Sequence, residues 1–197
     1  MKKRDLEIAL ESVAPFRNPD PSLEQYPTPA PVAADVLFSA YSNGDIAGMK
    51  VVDLGCGTGV FSIGARLLGA GRVIGFDVSG GALETARENA SSAGADVEFV
   101  LSDVRDVSEP ADTVIMNPPF GCQNRRADRA FLDKAMELSE CVYSIHMART
   151  EPFIEEYAES RGRRIVYRKT YKYDIPNTFP FHKKMKQSVD ILAVNIR

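Results

Sequence analysis

The sequence predicts an α/β fold built on a mostly parallel sheet that helices cover on both faces. Seven short runs rich in β-branched and aromatic residues alternate with longer runs in which the apolar residues have helical spacing. Such alternation is typical of parallel strands joined by helical crossovers. With 197 residues, the chain is expected to form one domain over residues 1–197.

The N-terminal part, residues 1–31, is predicted to be a helix followed by a proline-rich strap. Apolar residues have helical spacing over residues 5–14, and the six prolines from Pro15 to Pro31 prevent that helix from continuing. The strap is either ordered and extended or a loose lead-in. The core, residues 32–197, is expected to begin with a helix over residues 32–41 that ends at an Asn-Gly turn signal.

The rest of the core is predicted to alternate strands and helices. The expected helices lie near residues 58–69, 80–93, 126–139 and 151–160, and the expected strands are 49–54, 72–78, 97–101, 113–116, 141–147, 164–171 and 189–196. Because no long helix separates the last two strands, we expect them to pair antiparallel. His146, near the end of a strand, is interpreted as a hydrogen-bonded histidine close to the surface rather than as a catalyst.

Composition argues against several classes of protein. No run of about 18 apolar residues could span a bilayer, and no apolar signal segment follows the basic N-terminus, so a cytoplasmic protein is expected. Cys56, Cys122 and Cys141 form no Cys-x-x-Cys pair. This spacing argues against a disulfide framework or a structural zinc site. We therefore expect free, mostly buried thiols and no bound metal.

Charge is distributed unevenly along the chain. Residues 161–197 carry ten Lys or Arg against two Asp, a balance of +8, so the preceding residues have a balance of −11 within a net charge of −3. This basic end contains His182, Lys183, Lys184 and Lys186 beside phenylalanines, which favours a nucleic-acid contact. Local packing of those rings is the alternative.

Three alternating glycines, Gly55, Gly57 and Gly59, follow the first predicted strand. A plain strand–helix turn needs about one glycine, whereas several let a ligand approach the main chain. The ligand is then expected at the carboxyl end of this strand. A dinucleotide fingerprint would place a further glycine where the sequence has Val60, so the pattern favours another cofactor.

Acidic residues stand at the ends of three successive strands. Asp53 precedes the glycines by two residues, as suits a contact with an ammonium group. Asp77 could accept hydrogen bonds from two ribose hydroxyls, and Asp103 is placed to meet an adenine amino group. One such acid is ordinary, but three beside a glycine loop indicate a cofactor with nucleoside and amino-acid parts.

The most specific signal is Asn117-Pro118-Pro119-Phe120, directly after the fourth strand. An amino group on an aromatic ring is a poor nucleophile, because its lone pair is delocalised into the ring. The Asn117 side-chain oxygen and the Pro118 carbonyl could accept its two N–H bonds, which orients the lone pair and disperses the developing charge. Phe120 offers a stacking face. A base in a duplex could not reach such a loop, so the target is unpaired or flipped out. A simple turn is the alternative.

These residues together resemble the class I S-adenosylmethionine-dependent methyltransferases, and among them the amino-methyltransferases with a [DNS]-P-P-[FYW] loop. More specifically, they resemble the methyltransferase-like proteins, of archaeal type, that modify one adenine of small-subunit ribosomal RNA. It includes the segments Leu23-Glu24-Gln25-Tyr26-Pro27-Thr28, Phe181-His182-Lys183-Lys184 and Ser188-Val189-Asp190-Ile191.

The resemblance implies a Rossmann-like seven-stranded sheet, S-adenosylmethionine as cofactor, and methylation of adenine N6 in ribosomal RNA. It also implies that a small zinc-binding activator protein adds a strand to an exposed sheet edge at residues 97–101. The cofactor contacts that it implies come from Gln25, Tyr26, Thr28, Asp53, Gly55, Gly57, Gly59, Asp77, Asp103, Val104 and Asn117.

Three other functions share parts of these patterns. Protein glutamine-amide methyltransferases use an Asn-Pro-Pro loop, but they usually carry tyrosine where Phe120 stands and an extra N-terminal helical domain. A binding module could keep the cofactor without catalysis, although the intact Asn117 counts against it. A nicotinamide dehydrogenase is disfavoured by Val60 and by the lack of a hydride-transfer residue.

Overall fold

The computed structural model describes residues 1–120, 127–175 and 187–197. In these residues the helices are α1 Lys3–Glu11, α2 Ala30–Ser42, α3 Val60–Leu67, α4 Gly80–Ala93, α5 Ala127–Leu138 and α6 Glu151–Glu159. The strands are β1 Lys50–Leu54, β2 Arg72–Asp77, β3 Glu98–Leu101, β4 Thr113–Met116, β5 Val142–Met147, β6 Ile165–Ile175 and β7 Gln187–Ile196. The predicted elements are confirmed, with ends shifted by a few residues.

The seven strands form one sheet in the order β3-β2-β1-β4-β5-β7-β6. Strands β1 to β5 are parallel, and β7 runs antiparallel to both β5 and β6. The register places Val52 of β1 beside Ile74 and Val114 of the neighbouring strands. The mostly parallel sheet, the antiparallel final pair and the edge position of β3 are therefore confirmed.

Helices cover both faces of the sheet and enclose two apolar clusters. Helices α1 to α4 contribute to the first cluster, which includes Leu37, Ile63 and Leu83. Helices α5 and α6 contribute Leu132 and Ile154 to the second. Successive β1 residues alternate between these clusters, as the pleat of a strand requires. The central strands are thus buried on both faces. The carboxyl ends of β1, β2, β3 and β4 lie together at one end of these strands.

The proline-rich strap is ordered and fixed to the core. The Asn89 side chain of α4 accepts a hydrogen bond from the Ala14 N–H at 3.0 Å and donates to the Ala14 carbonyl at 3.1 Å. At the other end, the Tyr173 hydroxyl of β6 donates to the Pro27 carbonyl at 3.0 Å. These contacts hold the strap across the carboxyl ends of the strands. The strap is therefore the ordered, extended segment and not the loose lead-in.

The remaining expectations concern membrane-spanning helices, the cysteines and the basic C-terminal segment. In the described part of the chain, no helix is both long enough and apolar enough to cross a membrane. Cys56 and Cys141 are free and buried, as expected. The remaining predicted residues, Cys122, His182, Lys183, Lys184 and Lys186, lie outside the described residues.

Candidate active site

A cavity lies at the carboxyl ends of β1 to β4, under the strap. Its wall comes from the loops after these four strands, from strap residues 22–28 and from two aromatic side chains, Phe16 and Phe131. The predicted site residues on the wall are Gln25, Tyr26, Thr28, Gly55, Gly57, Asp77, Asp103, Val104, Asn117 and Pro119. The fold therefore brings together side chains that are far apart in the sequence.

The glycine loop needs its glycines for both conformation and space. Gly55 and Gly57 have φ values of +69° and +54°, a region that other residues rarely adopt. A Cβ at Gly55 would lie 2.9 Å from Cε1 of Phe131, and one at Gly57 would lie 2.8 Å from Cζ of Phe16. Gly59 differs, because its Cβ would meet Phe99 and Ala86 instead of the cavity. Gly59 therefore serves helix packing.

Asp77 lies on the wall beside the glycine loop. Its two carboxylate oxygens accept the N–H groups of Gly57 and Ser79, each at 2.8 Å. Burial raises the pKa of this carboxyl, against the lowering effect of these backbone donors. A carboxylate has about four lone-pair directions, so Asp77 retains capacity to accept ribose hydroxyls.

Asp53 is buried and is not among the residues that line the cavity, so its expected contact with an ammonium group stays a prediction. Its Oδ2 accepts the N–H of Ser62 at 2.9 Å and the Ser62 hydroxyl at 2.6 Å. The carboxylate therefore caps the first turn of α3. Its Oδ1 has no hydrogen-bond partner among the described residues, and burial raises the pKa of Asp53 to about 7.

Asp103 reaches the wall together with Val104, as expected. Its carboxylate is held by the Arg105 side chain, with Oδ1 2.9 Å from Nε and Oδ2 2.7 Å from a terminal guanidinium nitrogen. These hydrogen bonds hold the pKa of Asp103 at about 2. The carboxylate is thus an ionised acceptor at neutral pH, and Arg105 is a neighbour that the sequence patterns did not indicate.

Asn117 stands at the end of β4 with its side-chain amide fixed on one side only. Its Nδ2 donates a hydrogen bond to Oγ1 of Thr28 in the strap at 2.9 Å. Its Oδ1 is buried and has no partner within the part of the chain that the structure describes. Because an unpaired buried acceptor is unfavourable, this oxygen is suited to accept a hydrogen bond from a ligand.

The rest of the catalytic loop is arranged differently from the expectation. Pro119 lines the cavity, whereas Pro118 is buried behind it. Phe120 also lies off the cavity wall and packs against the apolar cluster on the α1–α4 face. Its backbone N–H donates to Oε2 of Glu24 at 2.7 Å. The strap therefore contacts the loop at two points.

The strap supplies both expected and unexpected parts of the wall. Gln25 is buried, and its Oε1 accepts the Asp20 N–H at 2.8 Å, which stabilises the turn of the strap. Phe16 and Glu24 of the strap and Phe131 of α5 also line the cavity, although none of them was among the predicted site residues. The rings of Phe16 and Phe131 each lie against one glycine of the loop, a contact that the sequence does not indicate.

The structure also corrects the expectation that His146 lies near the surface. The ring is buried in β5, off the cavity wall, and its Nε2 lies 2.7 Å from the Ser144 hydroxyl. Burial lowers the pKa of His146 to about 3, so the ring is neutral at physiological pH. Among residues 1–120, 127–175 and 187–197, no group of three or more His, Cys, Asp or Glu could hold a metal ion.

Comparison with known proteins connects this geometry to a family. A family model described as a methyltransferase domain matches residues 45–189. An uncharacterized protein of Methanocaldococcus jannaschii is 40% identical over 208 residues, covering 100% of this chain and 94% of the relative. The rRNA N(6)-adenosine-methyltransferase METTL5 of Danio rerio is 38% identical over 205 residues, covering 100% and 98%.

One solved structure resembles this chain in both sequence and fold. A protein from Pyrococcus horikoshii, described as a candidate RNA methyltransferase, has 42% sequence identity and a TM-score of 0.93, covering 100% of this chain and 97% of its own. The match includes the strap and the sheet, so both parts of the cavity wall belong to the shared fold.

Proposed function

The chain belongs to the methyltransferase-domain family, and from this premise we propose that it methylates the N6 amino group of an unpaired or flipped adenine in ribosomal RNA. The cofactor is S-adenosylmethionine. The observation that carries the proposal is the buried, unpartnered Oδ1 of Asn117 beside the cavity, within the described residues. The similarity to METTL5 relatives from Danio rerio and Drosophila melanogaster supports the substrate class.

The residues on the wall fit this cofactor. Gly55 and Gly57 form part of the wall, and a Cβ at either position would meet the Phe131 or Phe16 ring that also lines the cavity. The Asp77 carboxylate would hold the ribose hydroxyls, and Asp103 would accept from the adenine amino group. Bound there, S-adenosylmethionine supplies an electrophilic methyl group.

The catalytic loop would prepare the acceptor. Oδ1 of Asn117 would accept one N–H of the adenine amino group, and the backbone carbonyl of the buried Pro118 next to it would accept the other. These two acceptors withdraw the nitrogen lone pair from conjugation and disperse the positive charge that forms as nitrogen is alkylated. The alkylated nitrogen then loses one proton to water. The loop therefore acts through orientation and charge stabilisation and needs no strong base.

We propose that the substrate is RNA of the small ribosomal subunit and that the protein is cytoplasmic. His182, Lys183, Lys184 and Lys186 would neutralise RNA phosphates, so binding should weaken steeply as salt increases. The segment that holds these side chains lies outside the described residues, so its support is the +8 balance of residues 161–197.

A transfer assay with tritiated cofactor tests this proposal. Intact small subunits, naked ribosomal RNA, DNA and total protein are each offered to the purified chain. We expect label in ribosomal RNA, either naked or within the subunit. Label in protein would instead support the glutamine-amide alternative, and cofactor binding without transfer to any acceptor would support a binding module.

We further propose that a small zinc-binding activator protein adds a strand beside β3. Among the described residues, strand β3 pairs only with β2 and ends the sheet, so its other side offers a place for a further strand. Phe99 is buried and Val100 is half-buried, whereas Leu101 is 62% exposed. A protein that covers this edge would also bury Leu101 and protect the strand from aggregation.

Replacing Leu101 by glutamate should weaken activator binding by about tenfold or more, because a charge would be buried at the new contact. Affinity purification of the chain from its host, followed by titration of the captured activator, measures the effect. Val166→Glu provides the matched control, since Val166 is exposed on β6 at the opposite edge of the sheet. A fully active chain that captures no zinc-binding protein would remove the basis for this partner.

A further inference from the structure

Thr28 holds the amide of Asn117 in one of two possible orientations. The side-chain amide of asparagine has a donor end and an acceptor end of nearly equal size. In the structure the donor end, Nδ2, points at Oγ1 of Thr28 at 2.9 Å. The acceptor end, Oδ1, is consequently directed away from the strap and has no partner among the described residues.

This orientation determines whether the loop can function. The adenine amino group presents N–H donors, so it requires the oxygen of Asn117. After a half-turn of the amide, Nδ2 would face the amino group, and two donors would oppose each other. An amide without a fixed partner can adopt both orientations, and only one of them is productive. In the structure the Thr28 hydroxyl acts as the acceptor of this hydrogen bond, and in that role it holds the productive orientation before the substrate arrives.

A second contact keeps the strap and the loop in register. Oε2 of Glu24 accepts the backbone N–H of Phe120 at 2.7 Å, three residues beyond Asn117. Glu24 itself has a φ of +51°, which is uncommon for a residue other than glycine. Such a conformation persists where surrounding contacts stabilise it. The strap is thus held at two points that precede Thr28, against the loop through Glu24 and against β6 through the hydrogen bond from Tyr173 to the Pro27 carbonyl.

We propose that Thr28 is a positioning residue for methyl transfer, which fixes the Asn117 amide with its oxygen toward the acceptor amino group. This role rests on the proposed function and differs from the cofactor contact that the family resemblance implies for Thr28. It assigns the strap a part in the chemical step. Its effect should therefore appear in kcat rather than in cofactor affinity.

Kinetics of Thr28→Val and Thr28→Ser test the role. Valine preserves the shape of threonine without the hydroxyl, and we expect kcat to fall about tenfold, the value of one hydrogen bond of about 1.4 kcal/mol. The cofactor Kd should change less than about threefold, below 0.7 kcal/mol. Serine restores the hydroxyl and should recover most of the lost turnover. A higher cofactor Kd with unchanged kcat would overturn the proposal and leave Thr28 as a cofactor contact.

The same substitutions in an Asn117→Asp background separate orientation from general loosening of the strap. A carboxylate presents an acceptor oxygen to the substrate in either orientation. In the Asn117→Asp background, Thr28→Val should therefore lower kcat by less than about threefold. Tyr173→Phe is the matched control, because it removes a strap hydrogen bond and leaves the Thr28 hydroxyl in place. Tyr173→Phe should lower kcat by the same factor with Asn117 and in the Asn117→Asp background. If Thr28→Val also lowered kcat by the same factor in both backgrounds, the positioning role of Thr28 would be contradicted.

A measurement without substrate keeps this inference separate from the proposed function. In ¹⁵N NMR spectra of the side-chain amides, the Asn117 signal is identified by its loss in Asn117→Asp. Its hydrogen-bonded proton should exchange with water about tenfold faster in Thr28→Val than in the unmodified chain or in Thr28→Ser. Unchanged exchange would refute the positioning contact even if the chain methylates RNA. If the Asn117 amide proton exchanged as predicted but the chain methylated no RNA, the proposed function would be refuted and the positioning contact would stand.

Discussion

Replacing Asn117 by alanine is expected to lower methyl transfer by about a hundredfold or more, which is the usual cost of losing one oriented polar group at the reacting centre. The affected group is the buried Oδ1 that has no other partner in the described structure. Removing the side chain takes away the acceptor for the substrate amino group. Cofactor affinity should change only a few-fold, because most of the cavity wall is unaltered.

Single-turnover rates with saturating cofactor, combined with calorimetric titration of the cofactor, measure both quantities. Asn117→Asp serves as the comparison, since it retains an oxygen acceptor at the same place. It should keep more activity than Asn117→Ala. An alanine variant with full turnover would refute the catalytic role of the loop.

The second large effect is expected from Gly57→Ala, which should raise the cofactor Kd about tenfold, or about 1.4 kcal/mol. Alanine at φ +54° is strained, and its Cβ would lie 2.8 Å from Cζ of Phe16. Either the loop or the aromatic ring must shift, and both form the wall. A shift of the loop would also displace the N–H that Gly57 donates to Asp77.

Two further variants separate the two causes of this higher cofactor Kd, the clash with Phe16 and the strained backbone. Phe16→Leu combined with Gly57→Ala should restore part of the affinity, because the clash is relieved while the positive φ remains. Gly80→Ala is the control, since Gly80 has an ordinary φ and no atom within 4 Å of the added Cβ. Its cofactor Kd should match that of the unmodified chain. Unaltered affinity in Gly57→Ala would show that the cofactor does not depend on this loop.

Much of the fold could be predicted because its signals are local. Strand–helix alternation indicated the parallel sheet, and the short connection between the last two strands indicated their antiparallel pairing. The glycines and the Asn-Pro-Pro loop indicated the edge at which the cavity lies. The contacts of Phe16, Glu24 and Phe131 could not be predicted in this way, because they depend on how distant segments pack.

Asp53 and His146 are both buried more deeply than expected, for a common physical reason. A position at a strand end suggests access to the carboxyl edge, but the side chain points to one face of the sheet. In β1 that face carries α3, so Asp53 caps a helix. In β5 both faces are covered and a strand pairs on each side, so His146 is buried. Neighbouring apolar residues in both strands already indicated burial on two faces.

Identification of the modified nucleoside tests the central claim most directly. Ribosomal RNA treated with the chain and S-adenosylmethionine is digested to nucleosides, which are separated by chromatography and identified by mass spectrometry against standards. We predict that N6-methyladenosine increases with the unmodified chain and falls to background with Asn117→Ala. An increase in a ring-methylated adenosine or in another methylated base, or an equal yield from the alanine variant, would contradict the account.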